Sequence, residues 1–336
     1  MRPGKLLGLR VAVFAVWVAT GGAEPRGDPD DWDRRAREAG RKYMSGEIAA
    51  AMAEWRQLAK DAERFDPLDR RRTLVLHNVG ALHVELGQPL EAIGYLEEAA
   101  RRMERAPHPG LNEAKTMNYL AMAYVDTGDY AKAERMLRAV REKSLARAER
   151  GGSELTMADL LGSQILLERG RKEEAEAMVR AALRRVEERG RPAPEEEQSL
   201  WNQLGTILSS RRRWSEAEEA YRRAVESLSR EMGDGHPRTA KARINLAGAL
   251  VRSGKAEEAE EMAGEAERAL TATLGAGHWA VGAALERRAV ALRALKRGKE
   301  AKELEKRAGR IRTAYEKDNL LGSKVDLEAL AYRRGR

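Results

Sequence analysis

The chain of 336 residues is 42% hydrophobic and 35% charged, contains no cysteine and carries a formal charge of +8. That much apolar content excludes a disordered chain, and the lack of period-two alternation points to an all-α fold. Three of the positive charges fall in the first 23 residues, the rest interleave with carboxylates, and there are only 2 phenylalanines, so a nucleic-acid surface is not expected.

Taken from the start, Arg2, Lys5 and Arg10 precede an apolar run over residues 11–19, which ends in Thr20-Gly21-Gly22-Ala23. A basic opening, a short greasy centre and a small-residue end predict an export signal over 1–23, cut after Ala23. Residues 24–31 then form a linker. The apolar run is about half of the ~20 residues that a bilayer span requires, so no stable membrane span is expected after cleavage. An uncleaved anchor is the alternative. With arginine well ahead of lysine, a habit of GC-rich bacterial genomes, the expected location is the bacterial periplasm or outside the cell.

From residue 32 onward the sequence repeats. Ala51, Ala92, Ala133, Ala175, Ala217, Ala259 and Ala301 stand 41, 41, 42, 42, 42 and 42 residues apart. A fixed period of that length marks stacked helical units. Five residues before each alanine come Gly46, Gly87, Gly128, Gly170, Arg212, Gly254 and Lys296, so glycine ends the preceding helix in five cases and Arg212 and Lys296 depart from the rule. Twelve before lie Ala39, Gly80, Ala121, Ser163, Gly205, Ala247 and Ala289; seven after lie Leu58, Ala99, Val140, Ala182, Ala224, Ala266 and Ala308. Small residues at two crossing points let helix axes approach closely. The outer units fit least well, with Glu38, Lys42, Arg288 and Glu305 where apolar residues are expected. After about residue 310 the pattern lapses: 308–317 extends the last helix, and the tail over 319–330 docks back as a cap or serves a partner.

These columns resemble the tetratricopeptide repeat, an antiparallel helix pair with small residues where the first helix meets the second. The long period, the stretch Asn245-Leu246-Ala247-Gly248-Ala249-Leu250 and the linkers Gly233-Asp234-Gly235-His236-Pro237 and Gly275-Ala276-Gly277-His278-Trp279 are similar to the variety found in kinesin light chains. The resemblance spans roughly residues 32–310. It implies a right-handed α-α superhelix of about seven helix-turn-helix repeats, with a capping helix and tail over 311–336 and a partner peptide in the concave groove lined by first helices.

Within that groove, the resemblance makes Asn78, Asn118, Asn202 and Asn245 candidates for gripping a peptide backbone. An amide offers a donor and an acceptor whatever the ligand's side chains. The competing role for such an Asn is a bond to a neighbouring helix end. Asn118 and Asn202 sit one residue earlier in phase than the other two. A second column reads Glu85, Asp126 and Glu168 in consecutive repeats, then Ser210, Arg252 and Ala294, which predicts that the first half of the groove favours basic segments.

Catalysis finds little support. His77 and His83 lie six apart and diverge around a helix; His236 and His278 are repeat-equivalent and should close the turns at two junctions. No pair has metal-ligand spacing, and no nucleophile elbow, phosphate loop or zinc-protease pattern is present. The sequence thus points to a non-catalytic scaffold, without cofactor or metal, that binds an unidentified peptide or protein. The alternative is a self-associating accessory component of envelope signalling or secretion machinery. Oligomeric state is not legible.

Overall fold

A computed structural model describes residues 31–44, 48–105, 112–146, 152–190 and 194–322. The expected signal, most of its linker, Gly46 and the tail after Gly322 lie outside the described residues. Those described form fourteen α-helices and no strand, in seven consecutive pairs: α1 (Asp31–Met44) and α2 (Ile48–Ala62), α3 (Arg70–Glu85) and α4 (Pro89–Arg105), α5 (Glu113–Thr127) and α6 (Tyr130–Ala146), α7 (Ser153–Glu168) and α8 (Lys172–Glu188), α9 (Pro194–Ser210) and α10 (Trp214–Met232), α11 (Pro237–Arg252) and α12 (Ala256–Leu274), α13 (Trp279–Ala294) and α14 (Gly298–Gly322). The fold is an α-solenoid of helix hairpins.

The turn inside six of the seven hairpins is one object used repeatedly. Backbone N–H groups of Gln88, Asp129, Arg171, Arg213, Lys255 and Arg297 donate to His83, Tyr124, Leu166, Leu208, Leu250 and Leu292, over 2.8–3.0 Å. This closure needs a left-handed residue just before the donor. Gly87, Gly128, Gly170 and Gly254 supply it, with φ between 73° and 81°. Arg212 and Lys296, the two departures in the sequence column, adopt the same conformation at φ 60° and 62°. The turn therefore overrides the residue type, at a cost of about 1 kcal/mol each. Arg212→Gly and Lys296→Gly are expected to raise stability by up to ~1 kcal/mol, read from the denaturation midpoint; a loss at both positions would contradict this account.

All three small-residue columns are sealed from solvent. The seven alanines from Ala51 to Ala301 are each 0% exposed, and the column from Leu58 to Ala308 is no more than 1% exposed. Where the first-helix column is glycine, the partner side chain occupies the space: a Cβ on Gly205 would lie 2.7 Å from the Tyr221 ring. The four charged residues that broke the apolar pattern all find opposite charges. Glu38 pairs with Arg41, Lys42 with Glu54, Arg288 with Glu260 and Glu267, and Glu305 with Arg293.

The chain divides between Leu200 and Trp201, within α9, into two compact units. In the first, Trp32 and Trp55 meet edge to face at 6.4 Å and anchor a core that continues through Leu58, Leu74 and Val79 to Leu82. In the second, Ile244, Leu270, Val281 and Leu285 pack with Ala308 and Ile311. Helix α14 continues unbroken past its repeat, so that Ile311 covers Gly282 of α13.

First helices of successive hairpins touch: α3 with α5 and α5 with α7 in the first unit, α11 with α13 in the second. Among the described residues, second helices of successive hairpins make no comparable contact. The closer-spaced helices must follow the shorter arc, so within each unit the first helices line the inner face.

Candidate functional site

Residues at one phase of the first helices recur every 41 or 42 positions. One column reads Asn78, Tyr119 and Leu161 in the first unit, and Gln203, Asn245 and Arg287 in the second. The structure separates the four asparagines. Asn78 is 0% exposed; its Nδ2 donates to the Leu74 carbonyl at 3.0 Å, and its Oδ1 is buried without a partner. The expectation that Asn78 grips a ligand is therefore corrected, because α3 is packed too tightly for its amide to reach solvent. Asn118 is also buried and donates to the Glu154 carbonyl at 2.9 Å, tying α5 to the start of α7. That is the helix-end bond weighed as its other role.

Asn202 and Asn245 behave differently. Both are half-buried, and Asn245 Nδ2 donates to Asn202 Oδ1 at 2.9 Å. Moving one residue along a helix rotates a side chain by ~100°. The one-residue phase difference between them is what turns the two amides toward each other across adjacent hairpins. Their bond uses one donor and one acceptor, and Asn245 Oδ1 and Asn202 Nδ2 keep further capacity.

The acidic column lies in the first unit. Glu85 is half-buried, and Asp126 and Glu168 are exposed, each in the last turn of its first helix or just before its end. Carboxylates there sit at the negative pole of the helix dipole, so cations are favoured beside them. In the second unit the equivalent places hold Ser210, Arg252 and Ala294, and Arg252 lies over the Trp214 ring at 5.8 Å.

The four histidines among the described residues are structural. His77 is buried with Nδ1 2.8 Å from Thr116 Oγ1, its ring edge-on to Tyr119; burial and nearby Lys115 push it down to about 4. His83 stacks on Tyr95 and bonds Gln88. His236 and His278 cap α11 and α13, each Nδ1 accepting from the backbone of Arg238 or Ala280 at 3.2 Å, as their linker positions led one to expect. No cluster of three metal-ligating side chains occurs among the described residues, and none of their helices is long and apolar enough to cross a membrane.

Arg287 is a half-buried first-helix residue that sequence reasoning missed. It stands 42 residues after Asn245, which was the available signal. Its guanidinium lies against Gly248 of α11: a Cβ there would be 3.1 Å from Cζ and Nη1. Burial lowers its pKa, and its Nε has no hydrogen-bond partner.

Hairpins of this kind, joined by equivalent turns and sealed by three small-residue columns, define a helical-repeat protein with an inner face of first helices. Two family models described as tetratricopeptide repeat match residues 71–146 with 196–272, and residues 160–229, together more than half of the chain. The chain belongs to the tetratricopeptide-repeat family. Among solved structures it is similar to NprR in complex with its cognate peptide NprX (15% identity, 83% of this chain and 78% of that one, TM-score 0.58). It is likewise similar to a Rap protein complexed with competence and sporulation factor (16%, 84% and 75%, 0.62) and to the apo form of RapI (12%, 86% and 100%, 0.60). Such likenesses establish a shared fold. No curated protein matches the sequence significantly.

Proposed function

We propose that this protein is a non-catalytic scaffold that holds an extended peptide or protein segment on the inner face of its first helices. The carrying observation is the Asn202–Asn245 pair, half-exposed and bonded at 2.9 Å, with an acceptor and a donor still to offer a peptide backbone. The peptides named with NprR and the Rap protein support the reading by likeness of fold. A fluorescein-labelled pool of random nonapeptides, followed by anisotropy, tests it. Asn245→Ala should weaken binding of the pool about tenfold with the oligomeric state intact by light scattering. Unchanged binding with altered self-association would instead favour the self-assembling accessory component.

In the first unit, Glu85, Asp126 and Glu168 favour basic segments. Glu85→Lys with Asp126→Lys is expected to abolish any preference for lysine-rich over glutamine-rich pools and to flatten its salt dependence; an unchanged preference refutes the role. The 42-residue, kinesin-light-chain-like variety of repeat and bacterial export belong to the same proposal, on the strength of the linkers and of residues 1–23. An exported protein recovered from its own cell should begin at Glu24 on N-terminal sequencing.

A further inference from the structure

The residue after the column alanine is Glu134, Glu176, Glu218 and Glu260 in four consecutive hairpins, and Lys302 in the seventh. Three of these carboxylates receive a cation from the following hairpin, each at 2.7 Å: Glu134 from Arg169, Glu218 from Lys255 and Glu260 from Arg288. Glu176 is met by Arg180 of its own helix. The position therefore faces whatever docks next along the array. In α14 it has changed sign, and Lys302 is exposed.

Other cations share that side of the helix. Lys299, Lys306 and Arg310 follow the spacing of one helical stripe with Lys302, and all are exposed. Glu303 stands among them; it bonds Lys306 and feels Lys302 and Arg310, which leaves four cations to one anion. Arg297, Glu305, Arg307 and Arg312 of the same helix are each paired. The face also has an apolar part. Arg287 and Arg288, neighbours on α13, reach Gly248 and Glu260 of the preceding hairpin, so a single docking helix touches both places. One period further on, those places are Val290, which is 43% exposed, and Lys302.

We propose that this face of α13 and α14 docks an acidic amphipathic helix of a partner protein, with its carboxylates along Lys299, Lys302, Lys306 and Arg310 and its apolar side on Val290. Docking here engages a second helix and is independent of peptide holding on the first helices. Carboxylates three and four residues apart on the partner match cations spaced in the same way. Residues 315–336 carry five cationic and four acidic side chains, so the chain's own tail does not supply the balancing charge. Complementary charge selects the partner and speeds its arrival.

Labelled amphipathic peptides, built on leucine and alanine with Glu, Gln or Lys along one flank, decide it by anisotropy on the full chain. The Glu peptide should bind about tenfold tighter than the Gln peptide, and the preference should shrink with added salt. Lys302→Glu with Lys306→Glu should transfer the preference to the Lys peptide, which a merely unfolded variant would not do. Val290→Ser should weaken the Glu and Gln peptides alike. Equal binding of those two peptides, or a Glu preference that survives the lysine reversal, overturns the acidic partner; no loss in Val290→Ser overturns its apolar side. Tighter binding to phosphatidylglycerol vesicles or to polyuridylate than to the Glu peptide also overturns it. If the Glu peptide binds only after Asp326→Asn with Glu328→Gln, the chain's own tail holds the face. If light scattering shows a dimer that the lysine reversal dissolves, a second copy holds it. Either result overturns the partner helix.

Discussion

Lowering the pH from 7 to 4 should cost the α3–α5 region about 3 kcal/mol through His77 alone. The buried imidazole titrates at about 4 when folded and near 6.5 when unfolded. Its folded pKa is depressed, so the unfolded chain binds the extra proton first. The stabilisation is complete above pH 6.5 and drains away as the pH falls to 4. His83, His236 and His278 are shifted downward as well, burial being the leading cause in each, so wild type alone would blend four contributions. His77→Gln isolates one of them, because Gln can bond Thr116 and does not titrate. Hydrogen-exchange protection of α3 and α5 amides in the two proteins should converge by about 3 kcal/mol between pH 7 and pH 4. A gap independent of pH would mean that the ring is hydrated or charged in the folded state.

Gly80 and Gly94 should respond to alanine with opposite signs. Both are interior to helices of one hairpin, where alanine is intrinsically better by ~1 kcal/mol. Gly94 is exposed with nothing near its missing Cβ, so Gly94→Ala is expected to stabilise by about 0.5–1 kcal/mol. At Gly80 the new methyl would lie 2.6 Å from Leu96 Cγ and 3.2 Å from Tyr95 Cβ. Leu96 is 0% exposed and cannot step aside. Overpacking there outweighs propensity, and Gly80→Ala should destabilise by about 1–3 kcal/mol. Urea midpoints of the two variants check this; a stabilised Gly80→Ala would mean that the helix crossing is loose.

The hairpins were legible because their constraints are local and repeated. Ala133, Ala175 and Ala217 share one sealed environment, and a 42-residue ruler finds them without any knowledge of contacts. The ruler failed where identity and geometry part company. Arg212 and Lys296 read as exceptions, yet their backbones obey the turn, since at each the hydrogen-bonded closure of its own hairpin outweighs the side chain's preference. It also could not tell which asparagines reach solvent. Asn78 and Asn245 occupy the same column, but one is entombed beside Leu74 and the other meets Asn202, a difference made by the neighbours and not by the repeat. Arg287 escaped notice because an arginine is unremarked in a chain so rich in them; only its buried, unbonded Nε singles it out.

The turn bonds connect residues five apart, so each of these six hairpins is closed by atoms of its own segment. Nothing in that clasp consults the segments on either side. A gene coding for such a chain can gain or lose a whole unit by slippage between like sequences and still yield a product whose remaining clasps shut. Length is then open to selection one hairpin at a time.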